Sequence, residues 1–504
     1  MQEKQEFAKV LGSKEVLALA FGAMIGWGWI VLTGDWIQAA GSMGAITAMA
    51  LGSLIIVFIG LAYAELAAAM PQAGGAQVFT HRAFGRLASF VCSWSLILGY
   101  VSVVAFEAVA LPTVLDHLST DYQKVFLWNV AGWDVYLTWA LVGMAGTVLV
   151  TCLNYFGVEN ASSFQKFVTL LIVVVGVVFV LASGVQGQGS NMQPLFNEVA
   201  TEGSSLSPFI LGMLPVLMIV PFMFVGFDVI PQTASEINVP PKMIGKLLVL
   251  SVLAAMVFYC AIIWGVGMAL PSNKMSPDVL TTPQAMEAVF NSPWAAKVMV
   301  LAGLAGIITS WNAFFIGGSR AIYALAKAKM LPPWLAYLHP KYRTPTRAVL
   351  LIGALTFLAP LLGRKALLWF ANAGSLAIVI AYFLVCLAFL VLRRTAPDMP
   401  RPFKVSAGKT VGVIAVVGSA VMIYMYLPLS PSALMPQEWA IFGVWMVLGA
   451  LLFMASMTKR RKGLHSWSYR LHHGPKSVIY TPGKGAYQPV RARQAALVRV
   501  RANR

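Results

Sequence analysis

Glu107 and Asp228 are the residues of this sequence with the clearest capacity for chemistry, because each lies inside a long apolar stretch. Near the centre of a membrane helix an acid costs about 2.5–3.5 kcal/mol to insert, and a cost of that size implies a partner or a function. The functional reading is a proton or cation site facing an interior pathway. The plain reading is a hydrogen bond to a neighbouring helix. Asp35 and Glu65 fall near the ends of their stretches, where water is expected to be close, and say less.

Two interrupted segments accompany these acids. GAMIGWGWIVLTG, residues 22–34, sits in an otherwise apolar run yet carries Gly22, Gly26, Gly28 and Gly34, with Trp27 and Trp29 around the middle pair. PFMFVGFD, residues 221–228, places Pro221 and Gly226 midway along a later run; proline removes a backbone donor and glycine loosens the chain. In lipid no water rescues an unpaired backbone group, so irregular backbone belongs where it lines a cavity. Where a half-helix begins, around Gly26, Trp27, Gly28 and Trp29, its N–H groups suit a carboxylate. Where half-helices end, the carbonyls of Ala23 and Met24, with those of Phe224 and Val225, suit an ammonium; Ile25 lies between the two sets. A zwitterionic amino acid fits both ends. The competing account has Gly22, Gly26 and Gly28 serving only close helix packing. A matched break five spans later weakens it, because paired interruptions point to a transporter built on an inverted repeat.

The elements that must position these groups follow from composition. The chain has 504 residues, 59% hydrophobic and 11% charged, with a mean hydropathy of +0.76, far outside the range of soluble domains. Runs of about 20 apolar residues predict twelve membrane helices near 16–40, 43–70, 87–113, 135–154, 162–184, 207–232, 244–270, 296–328, 346–363, 366–393, 409–428 and 438–457. The first run lacks a small-residue cleavage site and reads as a retained helix, with the mature chain starting at Met1. With the N-terminus inside, the inner segments hold 31 of the 36 Lys and Arg residues, which predicts both termini in the cytoplasm. The outer connection 271–295 contains TTPQAMEAVFNSP, a short external helix; the inner connection 328–346 is rich in Pro, Lys and Arg. One membrane domain, 1–457, is thus followed by a basic tail, 458–504.

Several functions are not indicated. His81, His117, His339, His465, His472 and His473 all lie outside the spans, and the acids within spans are far apart, so no hydrolytic enzyme, haem or metal centre is expected. Cys92, Cys152, Cys260 and Cys386 fall singly in four spans, giving neither a disulfide framework nor a metal site. No cofactor is expected. Of the formal net charge of +18, twelve positive residues lie after residue 457 in a tail without Asp or Glu. That tail reads either as lying against anionic membrane lipids or as a disordered, solvated extension that enforces topology. Nucleic-acid binding is not expected, since no folded module surrounds the charges.

Four stretches give the sequence a specific resemblance: GAMIGWGWIVLTG; YAELAAAMPQAGGAQVFTHRAFG at 63–85; FMFVGFDVIPQTASEINVPPKMIGK at 222–246; and SRAIYALAKAKMLPPWLAYLHPKYRTPTRAV at 319–349, with RPFKV at 401–405 as a weaker echo. Over about residues 12–457 the chain resembles the amino acid, polyamine and organocation transporter superfamily. The resemblance implies an all-α integral membrane fold of 12 transmembrane helices. Ten form a LeuT-like five-plus-five inverted repeat (1–184 and 207–393) with helices 1 and 6 unwound; helices 11 and 12 (409–457) lie outside it. It further implies Phe222 as an aromatic gate, Tyr100 as a pocket residue, and Asp228 at a position often acidic in relatives with cationic substrates. Two departures stand out. Trp27 and Trp29 replace a commonly small residue and a commonly Ile one, and either stack on a cationic group or fill space. Where many sodium-independent relatives carry a helix 5 lysine, this chain has Ile172, and its one lysine there is Lys166, near the cytoplasmic end.

Coupling stays open at this level. Proton coupling would use Asp228 or Glu107. Sodium would draw on Thr309 and Ser310 against helix 1 carbonyls, although such hydroxyls most often bond their own backbone. Exchange needs neither. The expected protein is a permease of the inner (cytoplasmic) membrane importing an amino acid or related small amine. Its rivals are a carrier of polyamines or quaternary amines, and a channel or ligand-binding membrane sensor.

Overall fold

Long apolar stretches leave the backbone no partner but itself, and the computed structural model is accordingly 77% helix. It describes residues 7, 9–118, 122–157, 161–198, 207–275 and 280–473. In chain order the main elements are α1 (Ser13–Met24), α2 (Gly28–Val31), α3 (Thr33–Ala40), α4 (Ser42–Ala69), α5 (Ala76–Phe84), α6 (Arg86–Leu118), β1 (Phe126–Val130), β2 (Trp133–Tyr136), α7 (Leu137–Phe156), α8 (Ala161–Gln186) and α9 (Pro208–Phe224). There follow α10 (Val229–Gln232), α11 (Pro241–Ala269), α12 (Thr281–Phe290), α13 (Pro293–Lys327), α14 (Thr346–Thr356), α15 (Ala366–Thr395), α16 (Gly408–Tyr426) and α17 (Pro436–His473). The external helix expected in TTPQAMEAVFNSP is α12.

Among the described residues, eleven helical segments are long and apolar enough to cross a membrane. The expected count of twelve falls short at the ninth position. There a shorter apolar segment runs from Thr346 to Leu362, as α14 followed by a 3-10 turn at Ala359–Leu362. Gly363, with φ of +71°, ends that segment, and at about 26 Å it is shorter than a typical hydrocarbon core of about 30 Å.

The all-α expectation needs one small correction. Residues 126–136 form an antiparallel hairpin, β1 with β2, that leads into α7. Ala131 and Gly132 turn it with φ of +51° and +81°, the signs a tight hairpin turn requires, and Asn129 Oδ1 accepts the Gly132 N–H at 2.9 Å. The Trp128 indole donates to the Leu361 carbonyl at 2.9 Å, so the hairpin rests on the end of the short ninth segment.

The chain divides into two units, Met1–Ala450 and Leu451–Arg504. The second is helical to His473, as the continuation of α17; the rest of the tail expected over 458–504 lies outside the described residues. Within the first unit α6 packs along α15 and α4 along α11. Trp94 of α6 and Trp445 of α17 stack at 4.5 Å and exchange two hydrogen bonds, each indole donating to the other residue's carbonyl.

Glu65 corrects an expectation. The carboxylate thought to be near water is fully buried at the end of α4. It pairs with both Nε and Nη2 of Arg393 from α15, lies 3.0 Å from Arg401 Nε, and accepts the Val405 N–H at 2.8 Å. YAEL and RPFKV, two stretches far apart in sequence, are thereby one cluster. Removing one partner of a buried ion pair leaves uncompensated charge and costs about 3–5 kcal/mol. Glu65→Ala is therefore expected to lower the thermal unfolding midpoint of the detergent-purified protein markedly; an unchanged midpoint would remove the clamp from the account.

Candidate functional site

Both interruptions expected from the sequence are present, and they touch. The α1 helix closes with the Ile25 N–H on the Phe21 carbonyl, and helical structure resumes at Gly28. The α9 helix closes with the Val225 N–H on the Pro221 carbonyl, and α10 begins at Val229. Gly226 adopts φ of +136°, and a Cβ built there would lie 2.8 Å from the Ala23 Cβ and 3.0 Å from the Met24 backbone nitrogen. Glycine is required at this point twice over, by conformation and by space. Gly28 faces across the same seam toward Met223.

Asp228 holds the second break. It is fully buried, and it accepts the Gly226 N–H at 2.8 Å, the Tyr100 hydroxyl at 2.6 Å and the Tyr382 hydroxyl at 3.4 Å. The sequence had left a proton site and a structural hydrogen bond open for this residue. The geometry engages it structurally on both oxygens, and joins Tyr100, expected as a pocket residue, to the turn itself. Tyr63, Phe227 and Tyr382 complete an aromatic shell, with ring centroids 5.3–5.6 Å apart.

Glu107 belongs to the first break. A Cβ on Gly26 would lie 2.3 Å from Glu107 Oε1 and 2.9 Å from Ser310 Oγ, and the Ser310 hydroxyl and the Trp27 backbone N–H face this carboxylate. Glu107 Oε2 is buried without a hydrogen-bond partner. A protein carboxylate thus sits on an amide of the segment expected to receive a substrate's carboxylate. Thr309, the neighbour of Ser310, donates to the Gly22 carbonyl at 3.1 Å and to the Gly306 carbonyl of its own helix at 3.0 Å. Of the four coupling candidates, Glu107, Thr309 and Ser310 therefore gather on α1, and Asp228 stands apart at the other break.

The remaining expected residues are packed around this seam. The Trp27 ring fills the space opposite Gly303 of α13, and Trp29 meets Phe258 edge-on at 5.3 Å. Both rings are fully buried, and their indole nitrogens have no hydrogen-bond partner. Phe222 lies 5.3 Å from Phe106, and Phe224 lies 5.5 Å from Tyr259. Lys166 is not at the breaks: it pairs with Glu15 at 2.7 Å and ties α1 to α8, while Ile172 is buried in α8.

Two contributors were missed. Gly306 of α13 lies so close that a Cβ there would be 2.6 Å from the Gly26 carbonyl oxygen; a glycine in LAGLAGIITS gives no sign of this. Tyr259 of α11 donates its hydroxyl to the Met24 carbonyl at 2.5 Å and lies 3.3 Å from the Met223 carbonyl. A single tyrosine in an apolar span reads as bulk. Among the described residues no group of three or more His, Cys, Asp or Glu side chains could hold a metal ion.

Backbone exposed at two facing helix breaks, inside a bundle of membrane-length helices, is how a membrane transporter builds a binding site. The particular family is clear from the sequence as a whole: the chain matches the amino acid permease family over residues 11–452 and belongs to it. It is 26% identical to the branched-chain amino acid permease BcaP of Bacillus subtilis, over 91% of this chain and 95% of that one. It is 29% identical to the glutamate/serine transporter AimA of the same organism, over 82% and 77%, and 26% identical to the human cationic amino acid transporter 4, over 78% and 62%.

The contacts at Gly26 generate a direct test. Gly26→Val adds three carbons where the first already collides with Glu107 and Ser310. It is expected to abolish uptake in reconstituted vesicles with expression largely intact; full activity would undo the assignment of the site.

Proposed function

We propose that the protein is a secondary active transporter, a permease that imports an amino acid or related small amine across the cytoplasmic membrane by alternating access. The observation that carries this reading is the contact of the two breaks, with Gly226 lying on Ala23 and Met24. Together they set the end carbonyls of two half-helices and the amides around Gly26 to Trp29 within one small volume, chemistry that suits an ammonium and a carboxylate. The names of its relatives support amino acids as the class and leave the side chain open, since they span branched-chain, acidic and cationic substrates. The Lys and Arg pattern supports both termini in the cytoplasm, an arrangement in which the short Thr346–Leu362 segment also crosses, as part of a twelve-helix, LeuT-like repeat.

The position of Glu107 favours the proton as coupling ion. A substrate carboxylate arriving at Gly26 meets a carboxylate already there, and two like charges at one buried site cannot both stay ionised. Protonation of Glu107 relieves that conflict, so substrate and proton enter together. Glu107→Gln is expected to leave uptake insensitive to external pH, where the native protein accelerates as the outside is acidified. Asp228→Asn, which weakens the turn, is expected to slow transport and keep the pH response. The reverse pattern would move the proton to Asp228, and dependence on sodium would move coupling to the Thr309 and Ser310 region.

The same observation gives one rival reading its weight. If the substrate has no carboxylate, as a polyamine or quaternary amine, Glu107 would pair with its cationic group directly. A thermal-shift screen of the purified protein against amino acids and their decarboxylated amines separates the two, because a ligand that binds only the folded state raises its apparent stability. Stabilisation by an amino acid and not by its amine is expected; stabilisation by amines alone would transfer the assignment to the rival.

A further inference from the structure

The end carbonyls of α1 and α9 are buried, and helix geometry denies them partners of their own. The chain's next amides serve only the Phe21 and Pro221 carbonyls. Beyond these, other helices supply the donors. Thr309 of α13 reaches Gly22, and Tyr259 of α11 reaches Met24, with Met223 also within 3.3 Å. Tyr259 is the one of these that approaches both breaks. Its ring is fully buried and fixed between Phe224, at 5.5 Å, and Trp36, at 6.2 Å, so its hydroxyl has little freedom to turn elsewhere.

We propose that Tyr259 is a positioning residue whose hydroxyl does for the unloaded carrier what the substrate's ammonium does for the loaded one: it keeps the carbonyls at the two breaks hydrogen-bonded while the carrier returns without cargo. An ammonium brings three donors to these carbonyls, and a phenol brings one. Each carbonyl has two lone pairs, so the hydroxyl does not bar the ammonium from Met24. It leaves the Met223 contact long and the remaining acceptors free for the ligand. On the inward journey the substrate satisfies the breaks. On the return only the protein can, and a buried acceptor left alone is costly. This inference rests on the amine-binding reading above.

Tyr259→Phe keeps the ring and removes the hydroxyl. In proteoliposomes, net uptake by the variant is expected to fall about tenfold, the effect of one buried hydrogen bond lost in the rate-determining return. Exchange against saturating internal substrate, in which the carrier never crosses unloaded, is expected to fall far less. Equal losses in both modes would reduce Tyr259 to a structural role, and no loss in either would overturn the proposal. A second arm needs no substrate. In the purified, ligand-free protein, amide hydrogen exchange in peptides covering residues 24–31 and 223–230 is expected to quicken about tenfold in the variant, with peptides from α16 unchanged. Unaltered exchange at both breaks would sink the proposal even if transport were never observed. A native protein that moves no amino acid or amine would instead sink the reading on which it rests.

Discussion

Within hydrocarbon a backbone group released from its helix must be given another partner, and most of this structure can be read as the meeting of that requirement at two places. The chain stops bonding to itself after Met24 and again after Phe224. Glu107, Ser310, Thr309 and Tyr259 gather on the first break; Asp228, Tyr100 and Tyr382 gather on the second. These side chains come from four different long helices besides the broken ones. The bundle around the breaks is therefore as much a set of hydrogen-bond donors and acceptors as it is a hydrophobic shell.

Charge is distributed by the same logic. Each of the two fully buried acids at the breaks faces hydroxyl and amide donors, and neither has a basic partner among the described ion pairs. The buried acid at the end of α4 is instead held by two guanidinium groups. The contrast separates roles. Glu65 is locked by opposite charge, whereas Glu107 sits against neutral donors with one oxygen unpartnered, an arrangement compatible with a change of protonation.

The breaks themselves were legible in the sequence, because the glycines of GAMIGWGW and the Pro221 and Gly226 of PFMFVGFD interrupt apolar runs at matching places five spans apart. The short helix at Thr281–Phe290 was legible in the stretch TTPQAMEAVFNSP. What escaped were properties of the partners. Gly306 and Tyr259 gain their roles from what faces them across the bundle, and nothing in their own segments encodes it. Glu65 was misjudged since nearness to the end of an apolar run was equated with nearness to water, and two distant arginines were not foreseen. The ninth span lies where it was expected, over Thr346–Leu362, but its shortness was not foreseen, because hydropathy registers the apolar run and not the break between α14 and the 3-10 turn. For Trp27 and Trp29 the structure adds the neighbours that residue type alone did not give: the rings pack at Gly303 and at Phe258.

The helix α15 carries a mechanical consequence. It is tied near its start to α17, by Asn372 donating to Glu438 at 2.7 Å, and near its end to α4 by the Arg393 and Glu65 pair. Between them it makes a 3.4 Å contact from Tyr382 to Asp228. A beam clamped at both ends stays with its supports, and the tie that yields is the weakest along its length. Long and neutral on one side, the Tyr382 contact is that tie, so of the three it is the first to give, and the turn bearing Asp228 then depends on its shorter bond to Tyr100 of α6.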